Sequence, residues 1–378
     1  MCKFLFKRQA IILAAVLLCG SVPNQARTQE GTELERNLDS LVAQVADVLK
    51  ANRSDRIKSP KVRCREKEDD PQGAWIEQAI TMRLKSHKIQ ISNEAGIELF
   101  TEYSFQASSQ HTGRQIVLES RILKDGAGQQ VLPKITSTDM RDKLRLAGSC
   151  ISIPPNGTKQ ERSEAFDTQC EQPGAFLSGD QKTRISPSKN SPYYVEMLAG
   201  PKGGKGQLRE RKASVEGGKA LAQIDRDEEY RIRIANNSKT ESACQVFIDG
   251  INIFEFSEDR KANGDSLHKY FLVSSGKVVD VPGWHRSATG SVNWNAFVVT
   301  KFGDGVASLV NPKGKVGSIL VMFSNSFDPS DPTIGYRSSD LETSRGRNLE
   351  GKQDVFVRKV DLPHETIAVR YTRGISPK

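Results

Sequence analysis

The chain has 378 residues, with 55 Lys+Arg against 46 Asp+Glu and a formal net charge of +9. One hydrophobic core rarely grows past roughly 250–300 residues, so this length predicts two domains. Hydrophobic residues at 37% and charged residues at 27% exclude a multi-span membrane protein without demanding disorder, and six cysteines exclude a disulfide-dense miniprotein.

Residues 1–26 have the layout of a secretory signal. Lys3, Lys7 and Arg8 form a positive start, Ile11 to Leu18 is an unbroken apolar run, and small and polar residues follow to Ala26. The run is far below the roughly 20 residues that span a bilayer, so it reads as a cleaved signal, with lipid attachment at Cys19 as the minor alternative. No later segment reaches membrane length, so no transmembrane helix is expected after cleavage. The expected location is periplasmic or extracellular, with envelope association open. Cys64, Cys150, Cys170 and Cys244 then remain in an oxidising compartment, either as a framework that includes a Cys150–Cys170 pair or as buried inert thiols.

The mature chain opens on Thr32-Glu33-Leu34-Glu35, a capping box, followed by Leu34, Leu38, Leu41, Val42, Val45 and Leu49 at helical spacing. A strand is expected from Ile57 to Cys64, a second helix through Trp75, Ile76, Ala79, Ile80 and Leu84, and strand alternation at Ile89 and Ile91. Glu98 to Gln106 and Gln115 to Leu123 read as a meander that continues through an Asp125-Gly126 turn into Gln129 to Leu132. Helix is predicted over Thr138 to Leu146 and Glu161 to Phe166, with a strand at Cys150 to Ile153.

After Tyr193 to Leu198, another strand, the grammar changes. Residues 200–219 are Gly-rich and basic and read as a flexible linker or a hairpin tip. From Tyr230 only short β runs appear, at Tyr230–Ile234, Gln245–Ile248, Tyr270–Val273, Lys277–Val281, Ala296–Thr300, Gly317–Phe323 and Thr366–Tyr371. Asp328 to Lys352 reads as a long polar loop. The predicted fold is α+β: a small N-terminal α/β module with a β-meander and a C-terminal antiparallel β-sandwich. Its divisions are a signal (1–26), the α/β module (27–137), a connecting segment with short helices (138–199), a linker (200–219) and the sandwich (220–378).

Chemical signatures are sparse. Residues 200–206 lack the first Gly and the hydroxyl residue of a phosphate loop, and residues 259–264 put Lys261 where a calcium loop needs oxygen, so both read as surface loops. No nucleophile elbow or zinc helix occurs, and His87, His111, His268, His285 and His364 lack metal-ligand spacing. No metal, cofactor or catalytic residue is assigned. Gly283-Trp284-His285 with Trp294 is the most pointed exposed-looking cluster, so Trp284, His285 and Trp294 are the candidate binding residues, weighed against core tryptophans beside a turn histidine.

Two resemblances accompany these residues. Tyr230-Arg-Ile-Arg-Ile-Ala-Asn236-Asn237-Ser238, Val246-Phe-Ile-Asp249-Gly250-Ile251-Asn252-Ile-Phe254, Gly283-Trp284, Phe297-Val-Val-Thr300 and Gly317-Ser-Ile-Leu-Val resemble a C-terminal β-rich domain of uncharacterised exported proteins of planctomycete-type bacteria. That likeness covers about residues 138–373 and carries no catalytic residue. The N-terminal part resembles, in architecture, the α/β module of curli-secretion and flagellar-assembly lipoproteins, which implies assembly rather than catalysis. Of the net charge, +3 lies in the signal, +4 in residues 200–219 and +1 in each remaining part, which argues against a nucleic-acid field. The expectation is an exported, non-enzymatic, envelope-associated binding or assembly protein with a protein or polysaccharide partner. A secreted hydrolase acting on carbohydrate and a carbohydrate-binding module are the alternatives.

Overall fold

A computed structural model describes residues 31–65, 71–109, 112–203, 207–261, 266–288, 293–300, 317–328, 341–346 and 354–372. The expected signal lies outside them, as do Gly204 to Gly206, most of the expected 328–352 loop and the tip of the 259–264 loop. Among the described residues no helix is long and apolar enough to cross a membrane.

Helix α1 (Glu33–Ala51) starts at the expected capping box. Thr32 Oγ1 accepts from Glu35 N at 3.2 Å and Glu35 Oε2 accepts from Thr32 N at 2.9 Å. Its six predicted apolar residues are all buried. Together with α2 (Ala74–Ser86) it covers one face of a sheet in the order Lys61–Cys64, Ile97–Ala107, Arg114–Lys124, Ala127–Val131. Asp125 (φ 50°) and Gly126 (φ 74°) form the predicted two-residue turn between the last two strands. The single strand expected from Ile57 to Cys64 is two. Arg56–Ile57 runs parallel to Gln90–Ile91 and Lys61–Cys64 runs parallel to Ile97–Ala107. Pro60, which has no N–H to give a ladder, falls in the break.

Helices α3 (Met140–Ala147) and α4 (Lys159–Glu171) form a second layer. The sequence reading made α4 too short because it overlooked a second capping box, Thr158 with Glu161. These helices lie against a sheet buried on both faces. Its strand Ser318–Phe327 pairs antiparallel with both Ser242–Ile248 and Glu365–Thr372. Phe247, Leu320, Met322 and Ala368 pack on Leu144, Ala147, Ile151, Ile153 and Phe166 of the helix layer. The alternate residues Val246, Ile248, Ile319, Val321, Phe323, Ile367 and Val369 face a further sheet built around Tyr193–Pro201 and Glu228–Asn236. An uninterrupted apolar run such as Ile319–Phe323 is what two buried faces demand.

The fold is therefore α+β, with two facing sheets of mainly antiparallel strands and helices over the inner one. Residues 138–199, expected as a connecting segment with short helices, supply the helix layer and a central strand of the outer sheet. Of the two readings of residues 200–219, the described part fits the hairpin rather than the linker. Arg209–Glu210 pairs with Tyr193–Pro201, and Ala213–Glu216 forms a hairpin with Lys219–Gln223, which then runs parallel to Glu365–Thr372. Gly217 (φ 53°) and Gly218 (φ 77°) are the two positive-φ residues of that hairpin turn. Within the expected 328–352 loop, Leu341–Gly346 is a strand paired with Asp354–Val360. Residues 31–378 make one compact unit.

Candidate functional site

The three sequence-selected residues do come together. Gly283–His285 pairs antiparallel with Trp294–Val298, setting His285 opposite Trp294 and Trp284 opposite Asn295. Directly opposite residues share a face, so the His285 and Trp294 rings meet edge-on, with centroids 5.0 Å apart. Trp284 lies on the other face, edge-on to Phe256 and Phe297 at 5.4 Å each. Both tryptophans are half-buried and lie against the sandwich core.

His285 is not exposed as the sequence suggested. Its ring is fully buried against Phe254, at 5.2 Å, and His268, at 5.5 Å. Its Nδ1 is 2.8 Å from Ser257 Oγ, while His268 Nε2 is 3.3 Å from Asp259 Oδ2. Asp259 also accepts from Ala288 N at 2.8 Å and Ser287 Oγ at 3.3 Å, so the residue expected in a surface loop ties that loop to the hairpin. Sequence reasoning missed Ser257, Asp259 and His268 as a group because Ser257 and His285 meet across 28 residues without a local signature. A hydroxyl–imidazole pair beside a carboxylate–imidazole pair is the raw material of acid–base chemistry. Here, with Ser257 at 2%, His268 at 1% and His285 at 0% exposure, no substrate atom can reach it in this conformation. The cluster acts as an internal clamp on the loop after Phe254.

A second buried polar group lies where the two β layers meet α4. Tyr193 Oη is 3.3 Å from His364 Nε2 and accepts from Ser242 Oγ at 3.2 Å. Glu365 accepts from Ser152 Oγ at 3.0 Å and from Ser191 Oγ. Burial pushes the Glu365 carboxyl up to about 7 and, with Arg162 nearby, the His364 imidazole down to about 4. Asp361, tied to Asn325, is raised to about 6, again by burial. Asp249 accepts from Gly317 N at 2.6 Å, Ser318 N at 2.9 Å and Tyr371 Oη at 2.8 Å, which pins the inner sheet to the C-terminal strand.

Cys64, Cys150, Cys170 and Cys244 are thiols. Cys150 points at Ala368 O at 3.6 Å rather than joining Cys170, and burial pushes its thiol up to about 12. Among the described residues no group of three His, Cys, Asp or Glu is placed to hold a metal ion.

The outward face of the N-terminal sheet has a different character. Opposite the helix-covered face it carries Lys61, Arg63, Glu98, Phe100, Glu102, Glu119 and Arg121, with ion pairs Lys61–Glu98, Arg63–Glu102 and Arg65–Glu119 across the strands. Lys134 also pairs with Glu119, and hydrogen bonds from Lys134 and Arg65 hold that carboxyl below its ordinary range. No family model, curated protein or solved structure matches the chain.

Proposed function

We propose that this chain is an exported, envelope-associated binding or assembly protein that meets its partner through a surface rather than a catalytic cleft. The observation that carries this reading is the contrast between its polar groups. Ser257, His285, Asp249, Tyr193 and Glu365 are turned inward and bonded to their own fold, whereas the N-terminal sheet leaves a face of charged and aromatic side chains outward. Groups consumed by internal bonds hold shape, and groups left at the surface are free to recognise. The signal-like layout of residues 1–26 and the likeness to exported planctomycete-type proteins support the location.

The test is retention of envelope material by the immobilised protein. Residues 27–378 are expected to retain a polymer or protein from a cell-envelope extract. An isolated monomer that retains nothing overturns the reading.

A further inference from the structure

Among the described residues, the outward sheet face has one cation without a counter-charge. Lys61, Arg63, Arg65 and Lys134 are each paired with Glu98, Glu102 or Glu119. Arg121 has no such partner. Its guanidinium lies 4.6 Å over the Phe100 ring, and its buried Nε has no hydrogen-bond acceptor. Arg63 reaches the same ring at 4.9 Å from the strand on the other side. Among the described residues five cations therefore face three carboxylates, and two guanidinium groups lie on Phe100.

A guanidinium held over an aromatic ring keeps its planar fork of N–H donors, whose geometry matches a planar, two-oxygen anion. Pairing fixes its neighbours: Lys61 is opposite Phe100, Phe100 opposite Arg121, and Arg121 opposite Val131. With strands about 4.8 Å apart, this row runs about 14 Å across the sheet. Val131 closes it at the edge strand with 74% of its surface exposed, the most open large apolar side chain among the described residues. The row thus offers a carboxylate-binding fork directly beside an apolar contact.

We infer that this row, Lys61–Phe100–Arg121–Val131, binds an acidic polysaccharide whose sugars carry carboxylates. A uronate ring presents both required features within one residue, a planar carboxylate for Arg121 and an apolar C–H face for Val131. An acidic peptide lacks the apolar face beside each charge, and a phosphate-bearing lipid surface offers a tetrahedral anion rather than a planar one. The inference rests on the envelope-binding reading above and names its partner chemistry.

Polygalacturonate is the probe, with dextran, poly-glutamate and phosphatidylglycerol vesicles as comparators, and calorimetric binding at low salt as the readout. The protein is expected to bind polygalacturonate at least about tenfold more tightly than any comparator, and more weakly as salt rises. Arg121→Gln is expected to weaken binding about tenfold, the size of one lost charged hydrogen-bond pair. Val131→Glu, at a site too exposed to disturb folding, is expected to abolish it, while Lys85→Gln on α2 leaves it unchanged. Equal binding of poly-glutamate or vesicles, or wild-type affinity in both face variants, overturns the inference. If the Val131→Glu protein still retains envelope material, this surface is refuted and the broader reading stands. If the wild type retains none, the broader reading itself falls.

Discussion

Asp142 joins the start of α3 to the start of α1. Its Oδ2 accepts from Leu34 N at 2.9 Å and from Ser137 Oγ at 2.7 Å, while its buried Oδ1 has no partner. Burial, helped by the charge of Asp139, raises its carboxyl to about 7. With Glu365 at about 7 and Asp361 at about 6, three carboxyls keep protons in the folded state that the unfolded chain has already released. The stability they contribute is full below the ordinary carboxylate range and is lost as pH rises through about 6–7. His364, lowered to about 4, works the other way: its contribution is present above about 6.5 and is lost as pH falls through about 4. Thermal melts should therefore show the stabilisation from these four groups greatest near pH 4, falling as pH rises to about 7 and level beyond it, since three carboxyls outweigh one imidazole. Asp142→Asn, which keeps an acceptor without the charge, should raise the melting temperature at pH 8 and change it little at pH 4, with a gain on the order of 2 kcal/mol. Equal destabilisation at both pH values would refute this account.

At the scale of elements, turns do much of the positioning. Ile248-Asp249-Gly250-Ile251 is a two-residue turn with Asp249 at φ 51° and Gly250 at φ 81°, and it abuts the first turn of α2. A Cβ on Gly250 would lie 2.8 Å from Trp75 Cβ and 2.9 Å from its backbone nitrogen. Gly276 has a similar φ of 68° but nothing within 4 Å of such a Cβ. Gly276→Ala should cost about 1 kcal/mol of conformational strain, and Gly250→Ala about 2–4 kcal/mol, since helix and sheet must also separate. Denaturant melts of the two variants give the difference directly, and equal costs would mean that α2 yields freely. Elements with local causes were legible in the sequence: the Thr32 capping box, the α1 stripe and the Asp125-Gly126 turn. The strands within 200–219 were not, because two glycines in a hairpin turn look like two glycines in a linker until the pairing of Glu216 with Lys219 is known. The burial of His285 was equally illegible, because its partner Ser257 and the surrounding rings come from distant loops. Of the site, the sequence grouped Trp284, His285 and Trp294 but held neither the hairpin that joins them, nor the clamp, nor the Arg121 row.

At the scale of the molecule, the expected divide between two halves is bridged by Arg145. Its mostly buried guanidinium lies 4.1 Å from the Trp75 ring of α2 and 4.2 Å from the Phe247 ring of the inner sheet. It donates to Gly250 O at 3.0 Å and lies 3.6 Å from Glu35 of α1. Stacking of this kind on a desolvated cation contributes about 2 kcal/mol per ring contact. The helix layer buries the apolar side chains of both neighbours, so each half lacks a complete surface on its own. Residues 31–378 should accordingly unfold in one calorimetric transition, and Arg145→Ala should lower its midpoint without splitting it. Two resolved transitions in the wild type would contradict this coupling. For the same reason residues 27–199 expressed alone should aggregate or remain unfolded.

The doubly covered inner sheet also has a history in time. A chain is made from its N-terminus, so α3 and α4 exist long before Ser318–Phe327, the strand that covers them. Gln72 waits 246 residues for Ser318, its hydrogen-bond partner. During that interval Leu144, Ala147 and Phe166 lie bare to any sticky neighbour. Such late, long-range closure makes folding slow and leaves intermediates that need shelter. This protein should reach its native state only after release of the full chain, with a holding chaperone setting the yield.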